Sequence, residues 1–173
     1  VMVLADDNFG TIVSAVEEGR RVYDNILKGI QFLLSSNRAE VIAIFVATLI
    51  GFQILRPVHI LWINLITDSI PALALGVEKA EGDLMKRKPR DPNSHIFADG
   101  MGFDIGYQGV MIAIVTLVSY FVGHYLEAGR WEITQSPDGV TMAFLTLSMA
   151  EIFHSINMRS RRNSIFSMHS INK

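Results

Sequence analysis

The sequence predicts an all-α membrane protein with four transmembrane helices, preceded by a surface helix and a short strand, and three observations carry that prediction. Half of the 173 residues are hydrophobic and only 18% are charged, where a soluble domain of this length carries nearer a quarter. The apolar residues gather into four runs long enough to cross a bilayer, at about 31–53, 58–76, 105–126 and 140–158. Basic residues cluster between the second and third runs and again after the fourth, which places both regions on the cytoplasmic side. A net charge of −2 is too near neutral to suggest nucleic-acid binding. Zero cysteines exclude disulfides, thiolate metal sites and a cysteine nucleophile.

Residues 1–5 form a short apolar run of buried-strand type, which Asp6, Asp7 and Asn8 end with side chains that favour turns and helix N-caps. The start lacks the basic residues and long apolar stretch of a signal peptide and reads as mid-domain sequence. From Thr11 onward Ile12, Val13, Val16, Val22, Tyr23, Ile26, Leu27 and Ile30 recur at helical spacing between Glu17, Glu18, Arg20, Arg21 and Lys28. That mixture suits water or a membrane surface. The helix then turns apolar over 32–52 with no stop signal, so a single helix is predicted, cytoplasmic at its start and spanning at its end. Its one strongly polar cluster is Ser35-Ser36-Asn37-Arg38-Ala39-Glu40.

The short turn 51–57 makes the next helix an antiparallel neighbour. That helix holds Trp62-Ile63-Asn64-Leu65-Ile66-Thr67-Asp68-Ser69-Ile70-Pro71. A carboxylate in hydrocarbon costs at least about 2.5 kcal/mol, so intramembrane acids usually serve an ion or proton path. Asn64, Thr67 and Asp68 stand at i, i+3 and i+4, which puts three oxygen-bearing side chains on one helix face. Pro71 removes a backbone donor and opens the helix, freeing carbonyls as further ligands. Asn37 and Glu40 share a face on the preceding helix and are expected to meet this one. The pattern describes an oxygen-rich cation site at a broken helix; a polar packing motif accounts for the Asn and Thr but not for the Asp.

In the third run, Gly106, Gly109 and Gly123 suit close helix packing, while Asp104 and His124 are expected at the interfaces. A turn at Pro137-Asp138-Gly139 leads to the fourth run, which carries one carboxylate, Glu151, inside its apolar stretch. Arg159, Arg161 and Arg162 follow it and open a polar, serine-rich tail.

In order and spacing these motifs resemble the C-terminal half of a P-type ATPase. The residues that carry the resemblance are Ala5-Asp6-Asp7-Asn8-Phe9, Glu17-Glu18-Gly19-Arg20, Ser36-Asn37 with Glu40, the Trp62 to Asp68 run with Pro71, and Ala74-Leu75-Gly76. The subgroup most like it is the calcium pumps of the sarcoplasmic and endoplasmic reticulum type and their bacterial relatives. Thr67 and Asn64 separate it from related pumps that have methionine or aspartate at those positions.

The resemblance implies that residues 1–19 end a cytoplasmic α/β phosphorylation domain, that 20–158 form the C-terminal membrane domain of a cation-transporting ATPase, and that 159–173 lead to further helices. It also implies that Asn37, Glu40, Asn64, Thr67, Asp68 and Glu151 are ligands for calcium, the transported substrate. Asp68 would be shared between two ions, with Asn37, Glu40, Thr67 and Glu151 completing one site and Asn64 belonging to the other. Calcium's six to eight oxygen ligands suit this set. Arg38 stands where the family has an apolar residue; it would occupy part of a site or pair with Glu40, reducing the number of ions.

ATP and magnesium would bind in parts of the parent that precede Val1, so this piece alone would have no catalytic residues and would not hydrolyse ATP. The implied partners are the lipid bilayer, the first membrane half and the cytoplasmic domains, in a bacterial cell membrane. Three alternatives are a sodium or proton pump of the same family, a passive channel or secondary transporter, and an inactive membrane scaffold. The amphipathic stalk feeding the first helix argues against a channel.

Overall fold

The computed structural model describes residues 8–79, 84–89, 95–97 and 100–160. The predicted strand at 1–5, Asp6, Asp7 and the tail beyond 160 lie outside the described residues. Helix α1, Phe9–Ile50, starts at an Asn8 cap whose side chain accepts from the Gly10 N–H at 2.9 Å. At 1.5 Å per residue its 42 residues extend about 63 Å, roughly twice the hydrocarbon thickness. Its first half therefore stands outside the membrane as the charge pattern predicts. The helix stops at Gly51, where φ is +105° and both Gly51 and Phe52 donate to the Ala47 carbonyl. Only glycine takes that left-handed turn without steric cost.

The second crossing comprises α2, Pro57–Trp62, a π-helical segment, Ile63–Asp68, and α3, Ser69–Gly76. Helix α4 is Met101–Ala128 and α5 is Pro137–Asn157. All four crossings are long and apolar enough to span a membrane. Helix α4 is the hub, packing extensively against both α1 and α5, whereas α1 and α5 meet only briefly. The main core joins Ala39, Ala43 and Ala47 of α1 with Ile112, Ala113 and Tyr120 of α4 and Ala143 and Leu147 of α5. Alanine dominates the α1 stripe, which lets helices approach closely where lipid gives no hydrophobic drive.

The α4–α5 crossing is closest at two glycines. A Cβ on Gly123 would lie 2.9 Å from the Asp138 carbonyl, and one on Gly139 would lie 2.9 Å from the Tyr120 carbonyl. His124, near the end of α4, is buried within the bundle, with neither ring nitrogen hydrogen-bonded among the described residues. It follows the buried Tyr120 by one turn and so shares its inward face.

Loops on each side are tied to one another. At one end Gln53 and Gln135 exchange backbone and side-chain amide bonds of 2.9 and 3.0 Å, and Phe52 stacks on Tyr120. At the other end α1 holds the segment that follows the second crossing. Asn25 donates to the Gly76 and Glu78 carbonyls, Arg20 donates to those of Leu84 and Arg87, and Arg87 pairs with Asp24. Glu78 in turn accepts from Arg159, just beyond α5. The ends of α3 and α5 and the N-terminal half of α1 are thereby fastened on the side that the basic residues mark as cytoplasmic.

Valine at Gly123 or Gly139 must push backbone, since the nearest atoms include carbonyl oxygens, and overpacking of this kind costs about 1–3 kcal/mol. Gly19→Ala meets nothing within 4 Å and is expected to be neutral or to stabilise α1 by up to ~1 kcal/mol. Thermal unfolding of the purified protein in detergent checks both: the valine variants should melt several degrees lower and G19A should not.

Candidate functional site

The candidate site lies between α1, the π-helical segment and α5, about midway along the spanning part of each helix. A π-helix is wider than an α-helix and often marks a functional position. Pro71 has no N–H for the Thr67 carbonyl four residues back, and its ring crowds that carbonyl. The irregularity consequently appears N-terminal to the proline, over Ile63–Asp68, and not at Pro71 itself. Ser69 stabilises the widened turn by donating its hydroxyl to the Asn64 carbonyl at 2.8 Å.

Glu40 of α1 is buried, and its two carboxylate oxygens accept from the Asn64 side-chain amide at 3.3 and 3.1 Å. The same amide reaches the Ile60 carbonyl at 3.0 Å. Asn64 therefore fixes Glu40 against the second crossing. Thr67 and Asp68 lie one turn further on, both buried. Asp68 is 1% exposed and Glu151, on α5, is 0% exposed, yet none of their four carboxylate oxygens has a hydrogen-bond partner among the described residues. Asp68 is within electrostatic range of Glu40, and Glu151 within range of both.

Buried carboxylates without partners are rare, because a charge removed from water is costly unless it is paired or bound to a metal. Three acids within electrostatic range of one another compound that cost. An arriving cation would relieve both the desolvation and the mutual repulsion, and the donor set is all oxygen, as a hard cation prefers. Among the described residues no three acidic or histidine side chains stand close enough to form a ready-made metal cluster. A bound ion would have to draw Glu40, Asp68 and Glu151 together.

The structure brings Glu40, Asn64, Thr67, Asp68 and Glu151 into one region and sets Asn37 apart. Asn37 is exposed, and its side-chain amide donates to the Leu33 carbonyl at 2.8 Å. The expected meeting of Asn37 with Asp68 is therefore not observed. At 100° per residue the buried stripe of α1 runs through Phe32, Ser36, Ala39, Glu40 and Ala43, and Asn37 falls on the neighbouring stripe with Leu34, Val41 and Phe45. Arg38 departs from expectation too. It packs on α4, its Cβ against Gly109 and its guanidinium beside Gly106, and so faces away from the acids.

Two side chains not anticipated from the sequence belong to this region. Ser36 lies beside Asp68, although neither the Ser36 hydroxyl nor the carboxylate makes a hydrogen bond of ordinary geometry. His154, buried one turn beyond Glu151, reaches the Ser35 hydroxyl at 2.7 Å. The buried stripe of α1 points to Ser36; nothing local points to His154.

Residues 52–173 match the family described as cation transporting ATPase, C-terminus. The chain is 46% identical to calcium-transporting ATPase 1 of Bacillus cereus, with 96% of this chain and 20% of that protein covered. It is 41% identical to the calcium-transporting ATPase of Bacillus subtilis and 42% identical to calcium-transporting ATPase 1 of Lactococcus lactis, each over 96% of this chain and 18% of the relative. The chain thus spans about a fifth of the length of the curated relatives it matches. With four membrane-capable helices and a family match over residues 52–173, the chain belongs to the C-terminal membrane region of the cation-transporting ATPases.

Proposed function

We propose that this chain forms part of the transport domain of an ATP-driven pump that carries calcium out of a bacterial cytoplasm. The observation that carries the reading is the set of unpartnered Asp68 and Glu151 oxygens, buried beside Glu40 at a π-helical break. The names of the bacterial relatives supply the ion. In this reading Glu40, Asn64, Thr67, Asp68 and Glu151 provide side-chain ligands, and the Thr67 carbonyl left without its Pro71 donor is available as another. Asn37 joins them only by a change of rotamer or a rotation of α1, since its amide now bonds to Leu33.

Residues 1–19 would close a phosphorylation domain, 20–158 form the membrane domain, and 159–173 lead onward, with ATP and magnesium bound elsewhere in the full chain. The likeness to two-site pumps of the sarcoplasmic and endoplasmic reticulum type rests on Asn64 and Thr67. Arg38, expected to occupy part of a site or pair with Glu40, is instead turned towards α4 with its guanidinium beside Gly106, which favours the two-ion reading. The unbroken α1 is suited to carry movement from the cytoplasm to Glu40 as a rigid element.

ATP-driven calcium uptake into inverted vesicles containing the full-length pump tests the reading. Asp68→Asn should reduce uptake at least about tenfold while nucleotide still binds. Asn64→Asp, which sets a second carboxylate against Glu40 in place of a donor, should raise half-saturating calcium by a similar factor. ATP-driven transport of sodium or protons in place of calcium would overturn the ion, and unchanged calcium uptake in D68N would overturn the site.

A further inference from the structure

The brief contact between α1 and α5 contains a buried polar bridge. Ser35 is fully buried and His154 is 7% exposed, and the His154 Nε2 lies 2.7 Å from Ser35 Oγ. Ser35 Oγ is also 2.8 Å from the Gln31 carbonyl and 2.9 Å from that of Phe32. A hydroxyl has one hydrogen, and both carbonyls can only accept. The assignment that satisfies the network has Ser35 donating within its own helix and accepting from His154 Nε2–H. Phe32 braces the ring, with centroids 5.8 Å apart.

Consecutive residues of α1 thus address two neighbours. Ser35 is bonded to α5, while Ser36 lies beside Asp68 of the second crossing. Glu151 precedes His154 by three residues on the same buried face of α5, about 4.5 Å along the axis. Neither oxygen of Glu151 is held by a hydrogen bond, so its height relative to Glu40 depends on how α5 is seated. Helix α5 otherwise packs chiefly on α4.

We propose that His154 is a positioning residue of the cation site, holding α5 in register with α1 through Ser35 so that Glu151 stays level with Glu40 and Asp68. The proposal rests on the reading of these acids as ion ligands. When α1 moves, the bridge carries α5 with it, so that Glu151 and Glu40 approach or leave the ion together. Groups that orient ligands without touching the metal typically alter affinity by about 10–100-fold when removed.

The test is ion-dependent ATPase activity of the full-length pump for H154A, H154Q, S35A and the S35A/H154A double variant. H154A is expected to raise half-saturating calcium about tenfold with maximal turnover changed less than about twofold. Glutamine, whose amide nitrogen reaches the Nε2 position, should recover to within roughly threefold of wild type, and the double variant should be no worse than either single one. S35A removes only a hydroxyl and tests the bridge even if H154A does not fold. Unchanged half-saturation in both single variants, or shifts that add in the double, would overturn the bridge. If wild type responds to sodium or manganese and not to calcium, the ion assignment fails, and the same shifts measured with the activating ion still decide the bridge.

Discussion

Burying acids inside an apolar bundle is the constraint on which the rest of this structure depends. Among the described residues Asp68 and Glu151 make no hydrogen bond, and Glu40 accepts from the Asn64 amide. A bilayer gives no water to such groups, so they persist only where the surrounding fold is stable enough to carry the cost. The alanine stripe of α1 and the glycine contacts of α4 and α5 supply that stability through close packing. In the proposed reading the acids are thereby held in place for a cation.

The backbone around the acids is arranged for the same end. In hydrocarbon an irregular helix is tolerated only where other groups satisfy it or where it lines a polar site. Here Ser69 answers the Asn64 carbonyl, and Asn64 answers both Glu40 and Ile60. A single amide thus links the break in the second crossing to the long first helix. Because α1 continues without interruption from Phe9 past Glu40, it is suited to carry a displacement at its N-terminal end to that residue. The Asn25, Arg20 and Glu78 contacts join that end to the segment after α3 and to the end of α5. Movement of α1 would therefore be shared among the helices that carry the acids.

Much of this was legible in the sequence, and the reasons for the rest are physical. Four apolar runs gave four crossings, since length and composition alone decide whether a helix can span. The Asn64, Thr67 and Asp68 spacing picked out the region where the buried acids gather, because oxygen side chains are conspicuous against an apolar ground. The π-helical turn was not legible as such, because Pro71 announces a disturbance but not where neighbouring groups will absorb it. Asn37 and Glu40 share an i, i+3 spacing that two adjacent stripes of a helix accommodate equally; tertiary packing chose the stripe that includes Ser36 and Glu40. Arg38 against Gly106 and His154 against Ser35 join residues 68 and 119 positions apart, beyond the reach of local periodicity.

Equilibrium binding of radioactive calcium to the purified full-length pump without ATP tests the central claim most directly, because it reports on the acids without requiring turnover. The account predicts saturable binding in the wild type and its loss in Asp68→Asn and Glu151→Gln, each folded as judged by an unaltered melting profile. Wild-type protein that binds no calcium, or variants that bind it as the wild type does, would contradict the assignment of these carboxylates as the ion site.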